Sequence, residues 1–74
     1  MATVLFRFEI QRENYIDYIR LEEYIDSNGA LFWLIRNSFI ERKTGIENIT
    51  PYNDLEMAQK NYKTIVQYYL KTEV

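Results

Sequence analysis

Large aromatic side chains interleaved with arginines are the pattern in this 74-residue chain that could do chemistry. Tyr18, Tyr24, Trp33, Ile35 and Phe39, together with Arg7 and Arg20, include the residue types that anchor protein interfaces. Rigid rings bury much area at little entropic cost, and guanidinium groups fix the register of a partner. The same combination could stack nucleic-acid bases. Glu9 and Glu22 are interleaved with it, however, and phosphate contacts need an excess of positive charge. A second group, Arg36, Arg42 and Lys43, followed by Thr44 and Gly45, could hold a phosphate or an acidic partner loop, or form an ordinary solvated turn.

Other chemistry finds little material. The chain contains no His and no Cys, which removes the usual general base, the commonest transition-metal ligand, any thiol nucleophile and any disulfide framework. Glu22 and Glu23 are adjacent, so on a strand they point to opposite faces and cannot share a proton or a metal. Lys43-Thr44-Gly45 matches one penicillin-binding-protein element without the others, and Asn48-Ile49-Thr50 is a sequon followed by Pro51. No catalytic residue, metal site or cofactor is expected, and the chain reads as non-enzymatic.

The net charge of −2 does not suggest a nonspecific nucleic-acid binder, and the longest apolar run, the five residues Leu31 to Ile35, is far too short to span a bilayer. MATVLFRFEI has no basic region ahead of its apolar part. A cytoplasmic protein is therefore expected, with no membrane association.

These side chains need elements to position them. Residues 3 to 12 alternate, with Val4, Phe6, Phe8 and Ile10 on one face and Leu5, Arg7, Glu9 and Gln11 on the other. Residues 15 to 26 could be capped as a helix by Asn14, but their apolar positions scatter around a helical cylinder. Their Tyr and Ile content suits a pleated surface, so a strand is predicted. Asn28-Gly29 predicts a two-residue type I′ turn into a third strand over residues 30 to 41. That turn sets Ile25 opposite Phe32, Leu21 opposite Arg36 and Tyr24 opposite Trp33. A two-residue turn at Glu13-Asn14 sets Phe8 opposite Ile19 and Phe6 opposite Leu21.

Residues 42 to 52 read as a loop, or as a short fourth strand over residues 46 to 52 ended by Pro51. Asn53 followed by Glu56 resembles a capping box ahead of a helix over residues 54 to 71, in which Leu55, Ala58, Tyr62, Ile65 and Tyr69 recur at helical spacing, widened by Val66 and Leu70.

The expectation is one α+β domain: a three- or four-stranded antiparallel meander with one C-terminal helix packed on one face. In that register Phe6, Phe8, Ile19, Leu21, Ile25, Phe32, Leu34 and Ile40 lie under the helix. Leu5, Ile16, Tyr18, Tyr24, Trp33, Ile35 and Phe39 form an uncovered second face, crossed by the diagonal pairs Arg7 with Glu22 and Arg20 with Glu9. Monomers seldom expose so large an apolar patch, so a protein partner or a second copy of the chain, as a homodimer, is expected to cover it.

The order of a hairpin, LFWLIRNSFIERKTG, a loop and DLEMAQKNYKTIVQYYLKT loosely resembles WGR modules, over about four fifths of the chain. Asn37-Ser38-Phe39 stands where Trp-Gly-Arg would, although Arg36 and Gly45 are similarly placed. The resemblance implies a strand-loop-helix layout and, at the level of the family, nucleic-acid contact, with no binding residue carried over. The alternative to protein binding is therefore a nucleic-acid-binding module of this layout, for which the residues themselves offer the same aromatic face or Arg36, Arg42 and Lys43. The primary expectation is a small adaptor, accessory subunit or inhibitor.

Overall fold

Phe6, Phe8 and Ile10 alternate with Arg7, Glu9 and Gln11, and this period of two builds the first strand, β1 (Ala2–Gln11). The computed structural model describes residues 2–11, 13–38 and 47–72. After β1 come β2 (Ile16–Ile25), β3 (Leu31–Asn37), β4 (Asn48–Tyr52) and the C-terminal helix α1 (Leu55–Thr72). The strands form one antiparallel sheet in the order β1-β2-β3-β4, so the fold is α+β. Residues 15 to 26 supply a strand, not a helix, and the fourth strand forms, running through Pro51 to Tyr52.

The first register is as the sequence implies: Phe6 faces Leu21 and Phe8 faces Ile19. A bulge lies between Val4 and Phe6. It turns Val4 to the same face as Glu22 and brings Leu5, expected on the second face, against the core.

The second register differs from the expected one by one residue. Leu21 faces Ile35, Glu23 faces Trp33 and Tyr24 faces Phe32. The cause is the loop between β2 and β3. Asp26 and Ala30 are joined by a backbone hydrogen bond (2.9 Å), the Gly29 amide donates to the Asp26 carbonyl (3.0 Å), and Gly29 has φ 84°. Gly29 is the one described residue with positive φ, so Asn28 does not adopt the left-handed conformation that a type I′ turn demands. Ser27, Asn28 and Gly29 instead make a three-residue loop, a type I turn closed by a left-handed glycine. The Asp26 carboxylate reinforces it by accepting from the Asn28 amide (2.8 Å) and the Ala30 amide (2.9 Å).

No atom lies within 4 Å of where a Cβ at Gly29 would stand, so the cost of Gly29→Ala is conformational. We expect it to destabilise the fold by about 1–2 kcal/mol, and Gly29→Asn by less, because Asn tolerates this conformation. Asp26→Ala should cost about 1 kcal/mol through the two lost amide acceptors. Urea midpoints ranked Gly29→Asn above Gly29→Ala check the loop geometry.

One extra loop residue exchanges the faces of β3. Trp33, Ile35 and Asn37 lie under α1, with Ile19 and Leu21 from β2. Phe32 and Leu34, expected in the core, share the opposite face with Arg36. Ile25, also expected in the core, sits near the hairpin tip and is 51% exposed.

The helix starts one residue later than expected, at Leu55. Asp54, not Asn53, caps it, accepting from the Glu56 amide at 3.1 Å. Its inward stripe buries Ala58 and Tyr62, with Leu55, Ile65, Val66 and Tyr69 packed alongside, while Leu70 is exposed. Tyr62 reaches the Ile19 carbonyl (3.5 Å), and Asn61 donates to the Tyr52 hydroxyl (3.2 Å), pinning α1 over β2, β3 and β4. Strand β1 is covered only in part: Leu5, Phe8 and Ile10 pack against the core, but Phe6 is 46% exposed although its ring stacks on Tyr62 at 5.8 Å.

Candidate functional site

The face of the sheet away from α1 is built by alternate residues of β2 and β3. Tyr18, Arg20, Glu22 and Tyr24 come from β2, and Phe32, Leu34 and Arg36 from β3. Arg7 and Glu9 extend it across β1, and Ile49 and Pro51 across β4. Among the described residues no element lies across this face. Its centre is a network of charges held by two guanidinium groups and two carboxylates.

Glu22 is the most enclosed member, at 6% exposure. It accepts from Arg36 Nε (2.6 Å) and from the Tyr24 hydroxyl (2.7 Å), and Arg20 Nε lies 3.7 Å away. Arg36 also donates to Glu47 (2.8 Å) and to the Tyr24 oxygen (3.1 Å). Glu47, just ahead of β4, accepts in turn from the Tyr18 hydroxyl and from Arg20 (3.5 Å). The Arg20 guanidinium sits over the Tyr18 ring at 4.5 Å, and Tyr24 stacks on Phe32 at 5.3 Å and 16°.

These contacts set the protonation states. Burial opposes ionisation of Glu22, but hydrogen bonds from Tyr24 and Arg36 and the charges of Arg36 and Arg20 outweigh it, so its carboxyl titrates below the ordinary range. The Tyr18 hydrogen bond, against some burial, does the same for Glu47, helped by Arg36 and Arg20. Tyr18 is pushed up by burial and by its Glu47 partner. Arg36 is held more firmly protonated by its bonds to Tyr24 and Glu22. At neutral pH both carboxylates are therefore ionised and Tyr18 is a neutral phenol. The network acts as an electrostatic framework in which the Tyr18 and Tyr24 hydroxyls donate to the Glu47 and Glu22 carboxylates. Among the described residues no group of three or more carboxylates is gathered as a metal site.

The structure thus divides the residues singled out from sequence. Tyr18, Tyr24, Arg7 and Arg20 lie on the open face. Trp33 and Ile35 do not: Trp33 is 8% exposed beneath α1, its indole nitrogen donating to Glu23 at 3.0 Å, and Ile35 is fully enclosed. Arg36 is bound up in the network, held by Glu22, Glu47 and Tyr24. Phe39, Ile40, Arg42 and Lys43 lie outside the described residues. Arg20 turns to Glu22 and Glu47 instead of Glu9, and Glu22 is claimed by Arg36, Arg20 and Tyr24 instead of Arg7.

Phe32, Leu34 and Glu47 are the members that the sequence reading missed. The signal for the first two was present in Asp26-Ser27-Asn28-Gly29: Asp at the first and Gly at the fourth position mark a type I turn, whose three-residue loop turns Phe32 and Leu34 outward. Glu47 carries no such signal. Beside Phe32, a shallow depression lined by Pro51, Tyr52, Asn53 and Met57 continues the apolar surface around β4 to the start of α1. No helix among the described residues is long and apolar enough to cross a membrane. The chain matches no protein-family model, and comparison with curated proteins and with solved structures finds no significant similarity, so the WGR resemblance rests on element order alone.

Proposed function

We propose that this chain is a small non-enzymatic protein-binding module, an adaptor, accessory subunit or inhibitor, that engages a protein partner through the open sheet face. The observation that carries this reading is the composition of that face: Tyr18, Tyr24, Phe32 and Leu34 surround a charge network in which Glu22, Arg36, Glu47 and Tyr24 are hydrogen-bonded to one another. A rigid aromatic surface around an internally neutralised polar centre can dock on a protein at low desolvation cost.

The same balance weighs against nucleic acid. Arg7, Arg20 and Arg36 on this face are offset by Glu9, Glu22 and Glu47, and two of the three arginines are already paired. Phosphate binding would have to break those pairs. The absence of cysteine fits a reducing compartment, and we assign the module to the cytoplasm as part of the same proposal.

A photo-crosslinking amino acid in place of Phe32, compared with one at Lys60 on the exposed side of α1, tests the reading in cells expressing the chain. The expected result is a discrete protein adduct at position 32 that Leu34→Asp abolishes. Equal labelling at the two positions would overturn it. Salt-sensitive retention of an oligonucleotide at low ionic strength would favour the nucleic-acid alternative.

A further inference from the structure

The two edges of the sheet are not alike. Strand β4 has five residues and contains Pro51, which removes a backbone donor and blunts pairing. Strand β1 has ten residues and no proline, and among the described residues no strand pairs with its outward edge. Its regular stretch, beyond the bulge, is Phe6 to Gln11. There the side chains toward the helix side are Phe6, Phe8 and Ile10, with no charge pointing inward to deter a neighbour. A long, regular, apolar edge of this kind is where further strand addition occurs.

The charges on β1 specify which strand fits. Arg7 faces Arg20 across β1 and β2, a like-charge pair, and among the described residues no carboxylate lies within ion-pair distance of it. Glu9 faces Tyr18. We propose that the edge of β1 pairs antiparallel with β1 of a second copy of this chain, about a two-fold axis at Phe8, giving a continuous eight-stranded sheet. In that register Arg7 lies opposite Glu9 of the second copy and Glu9 opposite its Arg7, while Phe6 lies opposite Ile10 on the other face. Sliding by one pairing step sets either Arg7 against Arg7 or Glu9 against Glu9, so charge selects this register over its neighbours. The axis also satisfies the self-complementarity that a two-fold dimer requires.

Ile10 of the second copy then lies beside Phe6, which with Gln59, Tyr62 and Lys63 lines a groove of about 140 Å³ between β1 and α1. The seam extends the partial cover that α1 gives β1. Few residues meet across it, so it belongs with small interfaces below roughly 1,200 Å², and the dimer forms and dissociates reversibly with concentration. It leaves the Tyr24 and Phe32 face open, and so goes beyond the partner-binding proposal without depending on it.

Sedimentation equilibrium from about 1 µM to about 1 mM chain reads the dimer directly. Arg7→Glu makes two repulsive pairs with Glu9, and Glu9→Arg makes two with Arg7. Each should weaken dimerisation at least about tenfold. Neither should harm the monomer fold, since Arg7→Glu places an acid opposite Arg20, and circular dichroism checks this. The double variant Arg7→Glu/Glu9→Arg should dimerise like the parent, and an equimolar mixture of the two single variants should form a heterodimer. The proposal is overturned by a parent chain that stays monomeric throughout, by single variants that dimerise as the parent does, or by a double variant that fails to recover. A dimer abolished instead by Phe32→Ser would also overturn it and place self-association on the open face.

Discussion

Replacing Trp33 with Ala should cost about 3–5 kcal/mol, a large share of the whole stability of so small a domain. A domain of 74 residues holds only roughly 4–11 kcal/mol in all. Trp33 packs with Ile19, Leu21, Ile35, Ala58 and Tyr62, and its deletion opens a cavity that this small core cannot close. It also leaves Glu23 without its indole donor. Phe32→Ala, one position away, should cost only about 1 kcal/mol, chiefly the stacked contact with Tyr24. A two-residue turn would reverse that ranking, so urea unfolding of the two variants is a direct measurement of register. As the single tryptophan, Trp33 reports on itself. Its emission should be blue-shifted and shielded from iodide when folded, and a solvent-like spectrum in the native state would contradict its burial.

Glu22→Gln should destabilise the protein by about 2 kcal/mol at neutral pH, less than breaking a fully buried ion pair because Gln still accepts one hydrogen bond and Arg36 keeps Glu47. The pH dependence is the sharper test. Glu22 and Glu47 both titrate below their ordinary value of 4.5 when folded. The unfolded chain therefore takes up protons first as the medium is acidified. The stability these two groups contribute is complete above about pH 4.5 and is lost as pH falls through their lower folded values. Tyr18 and Tyr62 are raised above 10.0, Tyr62 by burial, so their contribution is complete below about pH 10 and is lost as pH climbs past it. Stability should thus form a plateau through neutrality with losses on both sides. The gap in urea midpoint between the parent and Glu22→Gln should shrink between about pH 7 and pH 3. Parallel curves would show that Glu22 contributes nothing through its charge.

How much of this could be read from sequence depended on how locally each feature is determined. The alternation in β1 and the spacing of Ala58, Tyr62, Ile65 and Tyr69 in α1 are periodic over enough residues to fix element type without any neighbour. The β1 to β2 register follows from the same alternation, because only one parity puts Phe6 and Phe8 beside Leu21 and Ile19. Strand β3 had no such protection. In Leu31 to Ile35 both faces are apolar, so hydrophobicity does not say whether Trp33 or Phe32 goes inward. A single loop residue decided it, and the Asp26 carboxylate selected the loop.

The candidate site was half legible for the same reason. Tyr18, Tyr24, Arg7 and Arg20 were placed through the alternation of β1 and β2, whereas Trp33 and Ile35 were exchanged for Phe32 and Leu34 with the register of β3. The sequence by itself determined an α+β chain with strands of known type, a C-terminal helix, and little material for acid-base or metal chemistry. Only the tertiary structure decided that α1 covers Trp33, that Phe32 faces outward, and that Glu22, Glu47, Arg20 and Arg36 neutralise one another. Charge networks and strand faces depend on which residues lie opposite across strands, and that is a property of register, which a sequence apolar on both faces does not encode.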